Sequence, residues 1–328
     1  MNIDNHTACR LHDMYLRDKM STREISESSL QRLGIFISTY QVYALLKKNG
    51  VTLRSVSQGV SRAKSNIDPD QSFMNESTLE WTDGFLLGDG SIRCQRKVDA
   101  MGARFSIGSL HTEWSSYAMS GLSLYRASVP KPTKTIDKKH PHHTWISQSL
   151  THPDIVKQYM RWYPNGTKDV PEDVRITPSS VLLWYLGDGS ICSDEDSNYS
   201  ALRLATCSFS PEKIESVLIP KLTAVGIECV REKSKNDIRI RTSSIRSFFD
   251  FIGRTSPIEC YAYKFQVPEW LYLSRLEDIA QTPQERYRAI YYIKTGKVQC
   301  SSSPGGKMFL FNHSQVAQLR CLLDKTGR

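Results

Sequence analysis

The sequence predicts an α+β protein built from two tandem copies of one unit of about 100 residues, preceded by a small all-α domain. Three observations predict it. Leu87-Gly88-Asp89-Gly90-Ser91-Ile92 recurs as Leu186-Gly187-Asp188-Gly189-Ser190-Ile191, 99 positions on, and the same offset relates Arg104 to Arg203, Ser109 to Ser208 and Glu113 to Glu212. Residues 201–209, ALRLATCSF, alternate in polarity as a half-buried strand does. The first 55 residues carry helix starts and stops but no strand pattern.

Composition narrows the class. The chain has 328 residues, 39% hydrophobic and 23% charged, enough for two or three domains with real cores and unlike a disordered chain. No apolar run approaches the roughly 20 residues a membrane span needs, and the N-terminus, MNIDNHTACRLHD, lacks the apolar stretch of a signal peptide. A reducing compartment inside a cell is expected, cytoplasm or nucleoid, or an organelle in a eukaryotic host. The eight cysteines include no CxxC pair, so reduced, mostly buried thiols are expected rather than a zinc ribbon. Lys and Arg outnumber Asp and Glu 43 to 34, a net charge of +9, which favours a polyanionic partner.

The elements follow in order. Residues 1–55 read as helices: Leu11 to Arg17, a second starting at the Ser21/Thr22 cap with Glu24, and a third, TYQVYALLKK, capped by Ser38 or Thr39 and ended by Asn49-Gly50. Val42, Leu45 and Leu46 share one face of the third, leaving Gln41, Tyr43, Lys47 and Lys48 outside. This resembles a helix-turn-helix with Tyr40, Gln41 and Lys47 on the recognition helix; a plain three-helix bundle is the alternative. Residues 1–65 hold ten basic and five acidic side chains, which favours DNA contact. Residues 56–77, rich in Ser, Asn, Asp and Gln, read as a linker. The repeats then occupy 78–174 and 175–276, each in the order helix, two strands, helix, two strands, helix. Residues 277–328 add helices at 283–294 and 314–324, either a packing appendage or an extra DNA-binding element.

Each repeat opens with a helix ending in Asp-Gly-Ser. A helix C-terminus already carries about half a negative charge, so a carboxylate there is unfavourable unless a cation arrives. If the two helices pack across a pseudo-twofold axis, Asp89 and Asp188 meet, and their repulsion raises one pKa unless a divalent metal bridges them. Oxygen donors with room for water and phosphate select Mg²⁺; the candidate ligands are Asp89 and Asp188 with Gly88 and Gly187, for two or three ions at the helix ends, with Mn²⁺ able to substitute. Gly84 and Gly88, one turn apart, offer a smooth packing face, whereas the second helix presents Leu183 and Gly187 beside bulky neighbours and a looser contact is expected.

The segments 82–90 (TDGFLLGDG) and 181–189 (VLLWYLGDG), together with the lysines Lys168 and Lys264 that each precede a Val-Pro-Glu, resemble the paired motifs of LAGLIDADG homing endonucleases in their monomeric two-motif form. The resemblance covers about residues 79 to 273. It implies a saddle of two four-stranded sheets on double-stranded DNA of roughly 20 base pairs, with motif helices at the interface and acids that bind metal and cut across the minor groove, leaving 3′ overhangs. Asp89 and Asp188 match those acids, and Lys168 and Lys264 the basic pocket residues that stabilise the scissile phosphate or orient water. It also implies an intron-encoded or free-standing mobile element.

Blander readings stand beside these. Asp89 and Asp188 would serve as helix-ending turn residues, the lysines as solvated surface, and His140, His142 and His143 as a hairpin tip. Candidate DNA contacts are chosen by strand parity: Arg93, Gln95 and Lys97; Arg239 and Arg241; Arg231, Lys233 and Lys235; and the repeat-related Arg104 and Arg203. Two alternatives use the same fold without cleavage: a transcription regulator and an intron RNA maturase.

Overall fold

The computed structural model describes residues 4–54, 58, 71–97, 100–133, 144–194, 199–302 and 308–324. Three helices open the chain: α1 (Asn5–Leu16), α2 (Thr22–Leu33) and α3 (Thr39–Lys48). The first starts earlier than its apolar residues suggest, because Asp4 caps it through the Thr7 N–H. Capping boxes Ser21/Glu24 and Ser38/Gln41 start the other two, and Gly34, at φ +73°, ends α2. Leu11, Ile25, Ile37, Val42 and Leu46 form a separate small core.

The linker expected over 56–77 includes residues that belong to the first repeat. The Ser72 hydroxyl donates to Asp154 Oδ1 at 3.0 Å, the Phe73 N–H to Oδ2 at 2.9 Å, and Asn75 caps the following helix. Ser and Asn make caps as readily as linkers, so composition alone put the boundary too late. Most of 56–70 lies outside the described residues.

The first repeat runs α4 (Glu76–Leu87), β1 (Ser91–Lys97), β2 (Ala100–Ser109), α5 (Thr112–Ser120), β3 (Lys131–Pro132), β4 (Trp145–Gln148) and α6 (Pro153–Trp162). The second runs α7 (Pro178–Asp188), β5 (Gly189–Asp194), β6 (Tyr199–Leu204), α8, β7 (Cys229–Glu232), β8 (Asp237–Ile240) and α9 (Ile245–Ile252). Helix α8 comprises Pro211–Lys213, a π-helical stretch Ile214–Leu218, and Ile219–Ala224, the widened turn falling just ahead of Pro220, which has no N–H to give the ladder. Both sheets are antiparallel with equivalent strand orders, β1-β2-β4-β3 and β5-β6-β8-β7.

One continuous core joins the repeats. Ile92, Ala103, Phe105 and Ile107 point into it from the first sheet, and Leu202, Leu204, Ile238 and Ile240 from the second. The other parity of each strand lies on the opposite face, which is therefore polar. At the centre α4 packs on α7 almost backbone to backbone. A methyl group at Gly84 would sit 2.4 Å from the Ser180 carbonyl oxygen, and one at Gly187 would sit 2.9 Å from the Asp89 nitrogen. The looser contact expected at Leu183 is corrected: Ser180, one turn earlier, supplies the small surface on the second helix.

After the second repeat come β9 (Ser274–Arg275), α10 (Leu276–Ile279), α11 (Pro283–Lys294), β10 (Ser301–Ser302), β11 (Phe309–Phe311) and α12 (His313–Asp324). They share their own core around Ala289, Tyr292, Phe311 and Leu319. All eight cysteines are free, but only Cys229 is buried, and Cys9, Cys192, Cys207 and Cys321 are exposed. The expected burial of the thiols fails for these four, while Cys94, Cys260 and Cys300 are half-buried at the edges of the cores. No described helix is long and apolar enough to cross a membrane.

Candidate active site

The close helix packing brings the two helix ends together. Helix α4 stops at Leu87 with Gly88 as cap, and α7 runs through Asp188. Because Gly187 has no side chain, the carboxyl carbon of Asp89 comes within 3.5 Å of where a Cβ would stand there. Asp89 is exposed at this junction, while Asp188 is partly buried. Burial, and then the charge of Asp89, push the Asp188 carboxyl up to about 6, against the pull of Lys168 and Lys264.

Both lysines reach the C-terminal ends of the motif helices of their own repeats, Lys264 onto helix carbonyls and Lys168 onto the cap residue and the turn after it. Lys168 Nζ donates to the Gly90 carbonyl at 2.8 Å and the Gly88 carbonyl at 3.3 Å. Lys264 Nζ donates to the carbonyls of Leu186 at 2.6 Å, Tyr185 at 3.3 Å and Gly187 at 3.4 Å. A cation on orphan carbonyls opposes the negative helix end. Burial lowers Lys168 to about 8 despite both carboxylates, and lowers Lys264 likewise. Each ammonium also faces an aromatic ring, Lys168 over Phe209 at 5.6 Å and Lys264 over Tyr261 at 4.5 Å. The Gly88 and Gly187 carbonyls, expected to face metal, thus each already hold a lysine ammonium.

Sequence reasoning missed three supporting groups. The Trp114 indole N–H donates to Asp89 Oδ2 at 2.9 Å. Glu113 accepts the Glu259 and Cys260 N–H groups, both at 2.9 Å, and so ties α5 of the first repeat to the turn that carries Lys264 in the second. Asp83, fully buried, is paired with Arg161 and Arg175 and accepts the Arg175 N–H at 3.0 Å, which fixes the connection between repeats onto α4. An acid directly ahead of the apolar run 84–87 was the visible signal for Asp83. Trp114 gave none.

The polar sheet faces divide the expected DNA contacts. Arg93 stands directly opposite Arg104 in the first sheet, and Arg203 opposite Arg239 in the second. Facing like charges are unfavourable unless an anion lies over them. Arg203 is relieved by Glu232 at 3.0 Å; Arg93 and Arg239 are exposed. The side chains of Gln95 and Lys97 lie outside the described residues. Arg231 is a correction: it lies in register with core-facing Ile238, on the helix-covered side, where Glu215 on α8 binds it at 2.7 Å. Parity groups residues without saying which group faces the helices. Lys233 and Lys235 are exposed in the hairpin turn, and Arg241, past the end of β8, lies 3.8 Å from Glu228. In the N-terminal domain Tyr40 and Lys47 are exposed, but Gln41 is engaged in the capping box, its Oε1 accepting from the Ser38 N–H at 2.9 Å. The histidines at 140, 142 and 143 lie outside the described residues.

The acidic junction suits a hard divalent cation, since its side-chain donors are two carboxylates without nitrogen or sulfur ligands. Among the described residues no group of three or more His, Cys, Asp or Glu gathers there or elsewhere. A cation would therefore rest on Asp89 and Asp188, the remaining positions falling to water and substrate.

Paired four-stranded sheets around two glycine-packed, acid-ended helices define a class of single-chain, two-repeat proteins. Residues 79–248, more than half of the chain, match the model of the LAGLIDADG DNA endonuclease family, and the chain belongs to that family. It is 25% identical over 206 residues to the uncharacterized protein MJ1098 of Methanocaldococcus jannaschii, covering 61% of this chain and 72% of that one. Its fold is similar to that of the homing endonuclease I-WcaI bound to its DNA recognition sequence, with a TM-score of 0.55, 20% identity, and coverage of 68% of this chain and 98% of that one. I-DmoI in complex with DNA and Mn gives a TM-score of 0.34 and 11% identity, covering 54% and 97%.

Proposed function

We propose that this protein is a site-specific homing endonuclease that hydrolyses one phosphodiester bond in each strand of double-stranded DNA, with Mg²⁺, and is carried by a mobile element. The observation that carries it is the meeting of Asp89 and Asp188 at glycine-packed helix ends, where burial and repulsion raise Asp188 to about 6. A protein that only binds DNA gains nothing from holding two like charges together. Bound Mg²⁺ would neutralise the phosphate and activate water. The two acids would hold the cations, and the lysines would keep the helix ends intact and place positive charge beside the developing phosphorane. The exposed Arg93 and Arg239 would take the duplex backbone.

The N-terminal domain, in this proposal, reads flanking duplex with Tyr40 and Lys47. Deleting residues 1–54 should weaken duplex binding and flatten its salt dependence, leaving single-turnover cleavage at saturating protein unchanged. Unchanged salt dependence would make that domain structural.

Incubation with a plasmid carrying the uninterrupted flanks of the encoding gene tests the main reading. Linear product in Mg²⁺, none in Ca²⁺, and none with Asp89→Asn or Asp188→Asn is expected. Tight binding of those flanks without cutting in Mg²⁺ or Mn²⁺ would favour the regulator, and selective binding of a folded intron RNA the maturase.

A further inference from the structure

The C-terminal unit has a layout that the repeats do not share. Short α10 and long α11 are joined by the three residues 280–282, and α12 packs across both. Beside them the three short strands pair in the order β10-β11-β9, so the last-formed strand lies between the hairpin partner and the strand that enters the unit. Two helices joined by a tight turn, a third helix bracing them and a hairpin alongside is the arrangement in which the second helix of the pair is presented outward.

Helix α11 carries the matching surface. Its inner face sends Ala289 and Tyr292 into the core. Its outer face carries Gln284, Tyr287, half-buried Arg288, Tyr291 and Lys294, at spacings of three and four that form one stripe. Tyr287 is 78% exposed and Tyr291 53%, although nothing in the fold requires two tyrosines in solvent. Lys297, also exposed, leans over the Tyr291 ring at 5.8 Å. The acids nearest the start of the helix are already engaged. Glu285 accepts the Gln281 and Thr282 N–H groups at 2.9 and 3.0 Å, and Asp278 the Arg275 N–H at 2.9 Å. The stripe thus offers cations, an amide and aromatic hydroxyls with no acid of its own.

We propose that this unit is a second duplex-reading module that places the α11 stripe in a major groove next to the segment held by the repeats. Twelve residues of helix span about 18 Å, and the groove, about 12 Å wide, admits one helix. Lys294 and Lys297 suit phosphates, and Gln284 a base edge. The junction selects the same duplex as the partner. Only Leu273 separates the turn Glu269–Tyr272 from β9, and that turn is anchored on α9 and the residues just after it, Arg246 donating to the Tyr272 carbonyl at 3.0 Å and Arg254, past the helix end, stacking on its ring at 4.5 Å. A unit held so short cannot reach a distant partner. The choice of DNA as the partner rests on the endonuclease reading.

The test uses the full chain and three probes: a 40-base-pair duplex of random sequence, a 20-base-pair duplex, and a 40-nucleotide single-stranded RNA. Fluorescence anisotropy is read across salt concentrations for the wild type, for an α11 variant (Tyr287→Ala, Tyr291→Ala, Lys294→Glu) and for a saddle variant (Arg93→Glu, Arg239→Glu). Because the substituted side chains are exposed, thermal melting should match the wild type. The α11 variant should bind the 40-base-pair duplex at least fivefold more weakly, with a shallower salt slope, and change little on the 20-base-pair duplex. Unchanged affinity and slope on the long duplex, or a loss confined to the RNA, would overturn the proposal. A saddle variant that binds normally while the α11 variant fails would sink the duplex role of the repeats and leave this one standing.

Discussion

Trp114 donates its indole N–H to Asp89 Oδ2, a bond that Asp188 does not receive from any described residue. The residue 99 positions beyond Trp114 is Lys213, whose ammonium is paired with Glu172. Among the described residues no side chain donates to the Asp188 carboxylate. The two acids are equivalent in the repeat and unequal in environment: one oriented and exposed, the other partly buried and raised to about 6.

Trp114→Phe should therefore affect the two DNA strands unequally. It removes a hydrogen bond to a charged group, worth about 1.5–3 kcal/mol, and keeps most of the buried ring. One strand should be cut about tenfold or more slowly, so a nicked duplex accumulates. Single-turnover assays with separate labels on each strand would show it. Equal slowing of both strands would mean that the indole only supports packing.

Gly84→Ala should separate the motif helices. The added methyl would lie 2.4 Å from the Ser180 carbonyl oxygen and 2.5 Å from its Cα, and backbone in a packed helix cannot yield as a flexible side chain does. A loss of about 2–3 kcal/mol in unfolding free energy is expected. Gly88→Ala, whose methyl would meet its nearest atom at 3.3 Å, should cost less. Denaturant melts of both variants decide it, and equal stabilities would count against the packing described.

How far this site could be read from sequence depended on the kind of signal each residue left. Asp89, Asp188 and the two lysines were legible because duplication wrote each constraint twice, and the offset of 99 carried from motif to hairpin. Ser180 was hidden because close helix packing depends on which turn faces the partner, a tertiary choice. Arg231 was misassigned because alternation marks two faces of a strand without naming the covered one. The structure places both lysines beside the motif-helix ends, but their hydrogen bonds to backbone carbonyls there depend on the folded loop that returns them, which no local pattern shows.

That misassignment gives a prediction with an internal control. Arg239→Ala removes an exposed cation from the polar sheet face, so affinity for duplex should fall and the slope of log affinity against log salt should shrink by about one. Arg231→Ala removes a side chain bound to Glu215 beneath the same sheet, so binding should be unchanged while stability drops slightly, by under about 1 kcal/mol. Salt-titrated binding of both variants checks the assignment, and a larger binding loss for Arg231→Ala would reverse the two faces.

The last prediction concerns acid. Asp154, almost fully buried, anchors the entry to α4, accepting from the Ser72 hydroxyl, the Phe73 N–H and the Tyr125 hydroxyl, with His152 Nδ1 at 3.4 Å. Burial alone would raise its carboxyl, but the contacts with His152, Phe73 and Ser72 outweigh it and bring the group down to about 2. A carboxyl depressed in the folded state binds its proton more readily when unfolded. Its stabilisation is therefore complete above the ordinary carboxylate range, near 4, and is lost as the pH falls from there to about 2. The expected change is on the order of 1–2 kcal/mol. Other carboxylates titrate in the same window, so the comparison is between the wild type and Asp154→Asn, each unfolded by denaturant at pH 5 and pH 2.5. The variant should be less stable at pH 5 and should lose less on acidification. Limited proteolysis in acid should cut the wild type first near residues 71–75, where release of Phe73 frees the chain ahead of α4. If both proteins lose the same stability between the two pH values, Asp154 is not the group that fastens this entry.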